Sequence, residues 1–126
     1  MLSGMYRQIG VETGVKSADP HKLVLMLYDG LIDSIAQARG AMRGRHIEAK
    51  NRAMTRAVRI VDEGLKSALS PAGGELTASL SSLYGYVAMR LLQAHARNYE
   101  AALDECLRLI TPLRDAWETI GDRLPS

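Results

Sequence analysis

Apolar side chains recur along this chain at helical spacing in four long stretches, separated by three short breaks. The first predicted helix covers 20–42: Asp19 can cap it, Pro20 stands at the first helical position, and Leu23 opens the apolar series. Gly40 and Gly44 are expected to end it, with Arg43 and Arg45 at its negative pole. The second runs over 45–69 and is stopped by Ser70-Pro71-Ala72-Gly73-Gly74, the densest breaker cluster in the sequence. The third covers 75–97 and the fourth 99–120, with Asn98 at the joint. Pro112 falls inside the fourth pattern, but the periodicity continues through Leu113, Trp117 and Ile120, so a kink is expected and not a break. Helices of ~20 residues, each ~30 Å long, joined by such short turns must lie antiparallel to their neighbours. The expected fold is all-α: an up-down-up-down four-helix bundle over 19–121, with a loosely attached, glycine-interrupted segment at 1–18 and a short tail at 122–126.

The faces of these helices differ. On the second, Ile47, Met54, Val58, Val61, Leu65 and Leu69 form one stripe, with Arg52, Arg56, Asp62 and Lys66 opposite. One flank of that stripe carries Ala49, Ala53, Ala57, Ile60 and Gly64, small residues beside one Ile that looks exposed. On the third, Leu76, Leu80, Leu83, Tyr84, Val87, Ala88, Leu91, Leu92 and Ala94 spread over about half the circumference, where ~100° suffices for a core face. The rest of its first four turns offers small uncharged residues, with Tyr86 and Met89. A helix in a four-helix bundle cannot bury every side, so some of this excess must meet water or a partner. The small flank of the second helix beside it is read as the wall of a groove for a foreign helix. Each of these residues taken singly fits an ordinary core position. Gly85, in mid-helix, is expected to mark close approach by another backbone.

Composition narrows the classes of function. The 126 residues suffice for one domain with a real core. There is no Phe, so aliphatic side chains must build the interior. Sixteen Lys and Arg against fourteen Asp and Glu leave a net charge of +2, which does not suggest a nucleic-acid partner. Arg39, Arg43, Arg45, Lys50, Arg52, Arg56 and Arg59 form a local basic stretch, but without stacking aromatics it fits a solvated face. The longest run free of charged residues and His, 76–89, is too short to span a bilayer, which takes ~20 apolar residues. With a single Cys and no apolar leader, a soluble cytoplasmic protein is expected, without membrane insertion.

No convergent catalytic constellation can be assembled. His21, His46 and His95 lack the Glu or His at helical spacing that a bundle metal site needs. Cys106 lies between Leu103 and Ile110 on an apolar stripe, as a small core residue does. Gly73-Gly74 lacks the Lys and Ser of a phosphate loop. The expectation is a protein without catalysis, cofactor or metal.

The run SADPHKLVLMLYDG at 17–30 resembles the start of the first long helix in flagellar secretion chaperones of the FliS type. GGEL at 73–76, Leu80, Leu83-Tyr84, Tyr86 and Arg90-Leu91-Leu92-Gln93-Ala94 resemble the third helix of that family. Tyr6-Arg7-Gln8 and Asp115-Ala116-Trp117 are similar to its terminal signatures, so the likeness spans nearly the whole chain in order. It implies an all-helical cytoplasmic export chaperone, without cofactor, for the largely disordered C-terminal segment of flagellin. Such a chaperone prevents premature polymerisation and delivers flagellin to the flagellar type III export apparatus. It further implies that the N-terminal segment, with Tyr6 and Ile9, covers apolar surface until a client displaces it. The candidate client-binding residues are therefore Tyr6, Ile9, Ala53, Ala57, Ile60, Gly64, Leu80, Tyr84, Val87 and Leu91, part of them expected to face inward. Ile60→Asp is expected to abolish client binding with helicity intact. The bundle without its client is expected to be a monomer or weak dimer. A homodimeric structural bundle that closes its own apolar face is the alternative.

Overall fold

Asp19 opens the bundle as the periodicity predicts: its carboxylate accepts the Lys22 backbone N–H at 2.8 Å, ahead of Pro20. The computed structural model describes residues 19–122. Within that span lie α1 (Pro20–Gly44), α2 (Ile47–Arg59) and its π-helical continuation (Ile60–Leu65), a short 3₁₀ turn (Pro71–Gly73), α3 (Gly74–Arg97) and α4 (Glu100–Gly121). There is no strand among the described residues. The expected segment 1–18, with Tyr6 and Ile9, lies outside them.

The four helices pack in a ring, α1 against α2 and α4, and α3 against α2 and α4. Polar links fix the antiparallel order. Arg43 at the end of α1 meets Glu100 at the start of α4 at 2.7 Å, and Arg114 near the end of α4 meets Asp29 near the start of α1, also at 2.7 Å. Lys50 at the start of α2 reaches the end of α3, donating to the His95 carbonyl at 3.2 Å and Asn98 Oδ1 at 2.6 Å. Across the core, the Tyr28 and Tyr84 hydroxyls share a buried hydrogen bond of 2.5 Å. Burial raises both phenol pKa values, so this bond joins α1 to α3 as two neutral groups.

Three details depart from the sequence pattern. α1 runs through Gly40 and stops after Gly44, and Arg45, not a glycine, takes the left-handed cap at φ 57°. The second helix widens at 60–65 into a π-helix, where the Lys66 N–H reaches back five residues to the Val61 carbonyl at 3.0 Å. Gly85 meets no backbone: a Cβ there would find only Lys66 Nζ, at 4.0 Å, so the expected close approach is absent. α4 continues through Pro112 to Gly121 without a break.

Candidate functional site

The small-residue flank of α2 is core. Ala53, Ala57, Ile60 and Gly64 are all buried, together with Met54, Val61 and Leu65, so both columns face inward from Ala53 on. Ala49 is half-buried, and Ile47, expected in the core stripe, is 70% exposed at the open start of the helix. The reason lies in α1. A Cβ on Gly64 would stand 2.9 Å from Leu27 Cδ2, so the small side chain admits the chain's own first helix, and no foreign one is needed to fill it. On α3, Tyr84, Val87 and Leu91 are buried as well, and only Leu80 is half-buried. The predicted residues are thus brought together, but as interior. With Ile60 at 0% exposure, the expectation that Ile60→Asp leaves the helices intact does not hold.

What reaches the surface is the remainder of α3. Ala78, Ser81, Ser82, Met89, Leu92 and Ala96 are exposed on its outer side, an uncharged stripe in which Leu92 is 55% and Met89 44% exposed. Between this stripe and α2 runs a groove of about 200 Å³, lined by Met54, Thr55, Val58, Arg59, Leu92 and His95. The sequence signal was present, for Leu92 in the width of the apolar arc and for Met89 in the uncharged remainder of the helix, but a helical wheel does not say which edge of the arc the neighbours leave open.

A second apolar region lies at the end of the bundle where α1 begins. Asp19, Pro20, His21, Val24, Ala68, Trp117 and Ile120 surround a depression of about 530 Å³. Its floor is built: the His21 and Trp117 rings stack at 4.8 Å and 6°, and Trp117 Nε1 donates to the His21 carbonyl at 2.9 Å. The core thins at this end. No residue of α3 before Tyr84 and none of α4 after Ile110 is fully buried, and Leu76 is 67% exposed. The chain enters the described structure at this depression, through Asp19.

Charges lie around the apolar surfaces as braces. On the far side of α3, Glu105 accepts from Tyr86 Oη and Arg90 Nε, both at 2.6 Å, and these bonds hold its carboxyl below the usual carboxylate range. Much of the basic stretch is likewise structural: Arg39 pairs with Asp104 at 2.8 Å and Arg59 with Glu63 at 2.5 Å. The Cys106 thiol, buried beside the Val87 carbonyl, is pushed up to about 11 by loss of solvent and is no nucleophile at neutral pH. Among the described residues no three His, Cys, Asp or Glu side chains gather as a metal site, and no helix is long and apolar enough to cross a membrane.

His95 is the titratable group of the groove. Burial, and then the nearby Lys50 charge, hold its pKa below the ordinary ~6.5. The unfolded chain therefore takes up this proton at a higher pH than the folded one. The stabilisation from neutral His95 is complete above about pH 6.5 and is lost as the pH falls through the folded-state value. His95→Gln is expected to narrow the gap between urea midpoints measured at about pH 7.5 and about pH 5.5. An unchanged gap would mean that other groups carry the acid sensitivity.

A helical bundle with an uncharged apolar stripe beside a groove offers a surface on which another polypeptide can pack. Comparison with known proteins assigns it further. The family model described as "Flagellar protein FliS" matches residues 2–124. The chain is 40% identical to the flagellar secretion chaperone FliS of Salmonella typhimurium over 94% of its own length and 88% of the relative's. It is 38% identical to the flagellar secretion chaperone FliSB of Pseudomonas aeruginosa over 92% of both chains, and 36% identical to the flagellar secretion chaperone FliS of Bacillus subtilis over 85% of this chain and 79% of the relative's. The chain belongs to the FliS family of flagellar secretion chaperones, a family of chaperones and not of enzymes.

Proposed function

We propose that this protein is a cytoplasmic chaperone for the C-terminal segment of flagellin, keeping that segment from premature polymerisation until the flagellar export apparatus receives it. The observation that carries the reading is the uncharged outer stripe of α3, with Met89 and Leu92 exposed beside the α2/α3 groove. A disordered segment that folds on binding loses conformational entropy, and burying an apolar stripe on both partners offsets that loss. Leu92, Met89 and Leu80 are the contact residues in this reading, with Tyr84, Val87, Leu91, Ala53, Ala57, Ile60 and Gly64 as the interior that holds the stripe in place. Tyr6 and Ile9 belong to the segment that the client displaces in this reading.

The test is calorimetry with a purified flagellin C-terminal segment. Leu92→Asp, at an exposed position, should keep wild-type helicity and weaken binding by about tenfold or more, since burying a Leu side chain is worth ~1.5–3 kcal/mol. Unchanged affinity would remove the α2/α3 face from the mechanism. Sedimentation separates the alternative, a homodimeric bundle, because a tight dimer that dissociates in Leu92→Asp would mean that the stripe serves self-association.

A further inference from the structure

The outer side of α2 holds two guanidinium groups that the bundle does not use. Arg39, Arg43, Lys50 and Arg59 are each committed to a hydrogen bond or ion pair within the fold. Among the described residues, Arg52 and Arg56 have no such ion pair. Arg56 is half-buried, and its Nε is shielded from solvent with no hydrogen-bond partner. A buried N–H left unpaired on a charged group costs more than an ordinary missing hydrogen bond, so a carboxylate arriving there would be well recompensed. The two arginines stand one helical turn apart and share a depression of about 330 Å³ with Asn51, Thr55 and Arg59. Thr55 and Arg59 also line the apolar α2/α3 groove, so the depression and the groove are continuous across α2.

We infer that the polypeptide bound on the α2/α3 face is an amphipathic helix with an acidic flank, whose carboxylates, one turn apart, meet Arg52 and Arg56 while its apolar side covers Leu92. The inference rests on the functional reading above and adds the chemistry of the partner: apolar anchors alone do not specify it. An apolar groove orients a helix poorly, because it accepts either direction and several registers. Two charge-assisted hydrogen bonds on one flank select a single direction and register. A nucleic-acid strand would use the same cations, but among the described residues no aromatic ring lines the depression to stack a base, and the adjoining groove is apolar.

Two labelled synthetic helical peptides test this on the full chain by fluorescence anisotropy. They share one Leu-rich face and carry on one flank either Glu or Lys at positions i and i+4. The Glu peptide should bind about tenfold more tightly than the Lys peptide at about 50 mM salt, with the preference shrinking as salt rises. Arg52→Gln with Arg56→Gln should erase that preference, and Arg52→Glu with Arg56→Glu should reverse it. Helicity by circular dichroism certifies each variant. Equal binding of the two peptides, binding of neither, or a single-stranded oligonucleotide that binds more tightly than the Glu peptide overturns the proposal. The flagellin segment keeps the two readings apart. If it binds in a Leu92-dependent way and ignores both arginine pairs, the acidic flank fails and the chaperone reading stands. If it does not bind at all, the chaperone reading fails whatever the synthetic peptides do.

Discussion

Ile60→Asp is expected to abolish the cooperative unfolding transition of this protein, or to move its urea midpoint so far that the native state is barely populated. Ile60 has no solvent exposure and sits in the π-helical segment among Val61, Gly64 and Leu65, all buried. The substitution removes the transfer energy of a buried Ile and leaves part of its volume empty, a change worth ~2–5 kcal/mol even when the replacement is Ala. It also places a carboxyl group at a position without solvent access, where its desolvation is costly even with the Arg56 cation one turn away. The neighbouring cation, Arg59, already holds Glu63. The new side chain must then either take up a proton or pull the backbone toward water, and each adds to the loss. The sum is about 4–5 kcal/mol or more, a large share of the ~5–15 kcal/mol by which a domain is held together. Ile60→Val serves as the control, with an expected cost of ~0.5–1.5 kcal/mol. If Ile60→Asp were to melt like the wild type, Ile60 would have to lie at the surface, and the inward face of α2 would be misplaced.

The same residue shows how far the sequence could be followed. Helix positions, the Asp19 cap, the Ser70–Gly74 break and the antiparallel ring all follow from periodicity and punctuation, because those signals are local and the short turns leave one economical arrangement. The placement of Ile60 depends on something periodicity does not encode. A plain α-helix puts Ile60 about 100° round from Val61, at the edge of the stripe. Ala53 and Ala57, on the same flank in the regular part of the helix, are buried as well, so the face that the neighbouring helices cover is wider than the apolar stripe alone. The alanine flank was misleading for a related reason. Small residues announce close approach, but the pattern does not say by which helix, and here α1 is the visitor. The exposed stripe on α3 was readable because a solvated face is expected to carry charge and this one does not. Tyr6 and Ile9, carried by resemblance alone, fall outside the described residues.

Gly64→Val makes that close approach measurable. A Cβ at Gly64 lies 2.9 Å from Leu27 Cδ2 and 3.3 Å from Cδ1, and Leu27 is itself fully buried, so its side chain can give way only by displacing other core atoms. Gly64→Ala adds that one carbon. The penalty for moving Leu27 is set against the ~1 kcal/mol that Ala gains over Gly in a helix, so the net change should stay within about 1 kcal/mol. Val adds two further carbons, and overpacking of that kind costs about 2 kcal/mol after its smaller helical gain. The decisive measurement is a double-mutant cycle. Leu27→Ala alone should cost ~2–5 kcal/mol through the cavity it leaves. In the Gly64→Val background it should cost at least 1 kcal/mol less, because the valine methyls occupy the space that Leu27 vacates. Coupling of that sign ties the glycine to α1. Additive costs would mean that Leu27 and position 64 do not touch, and the small flank of α2 would again need another occupant.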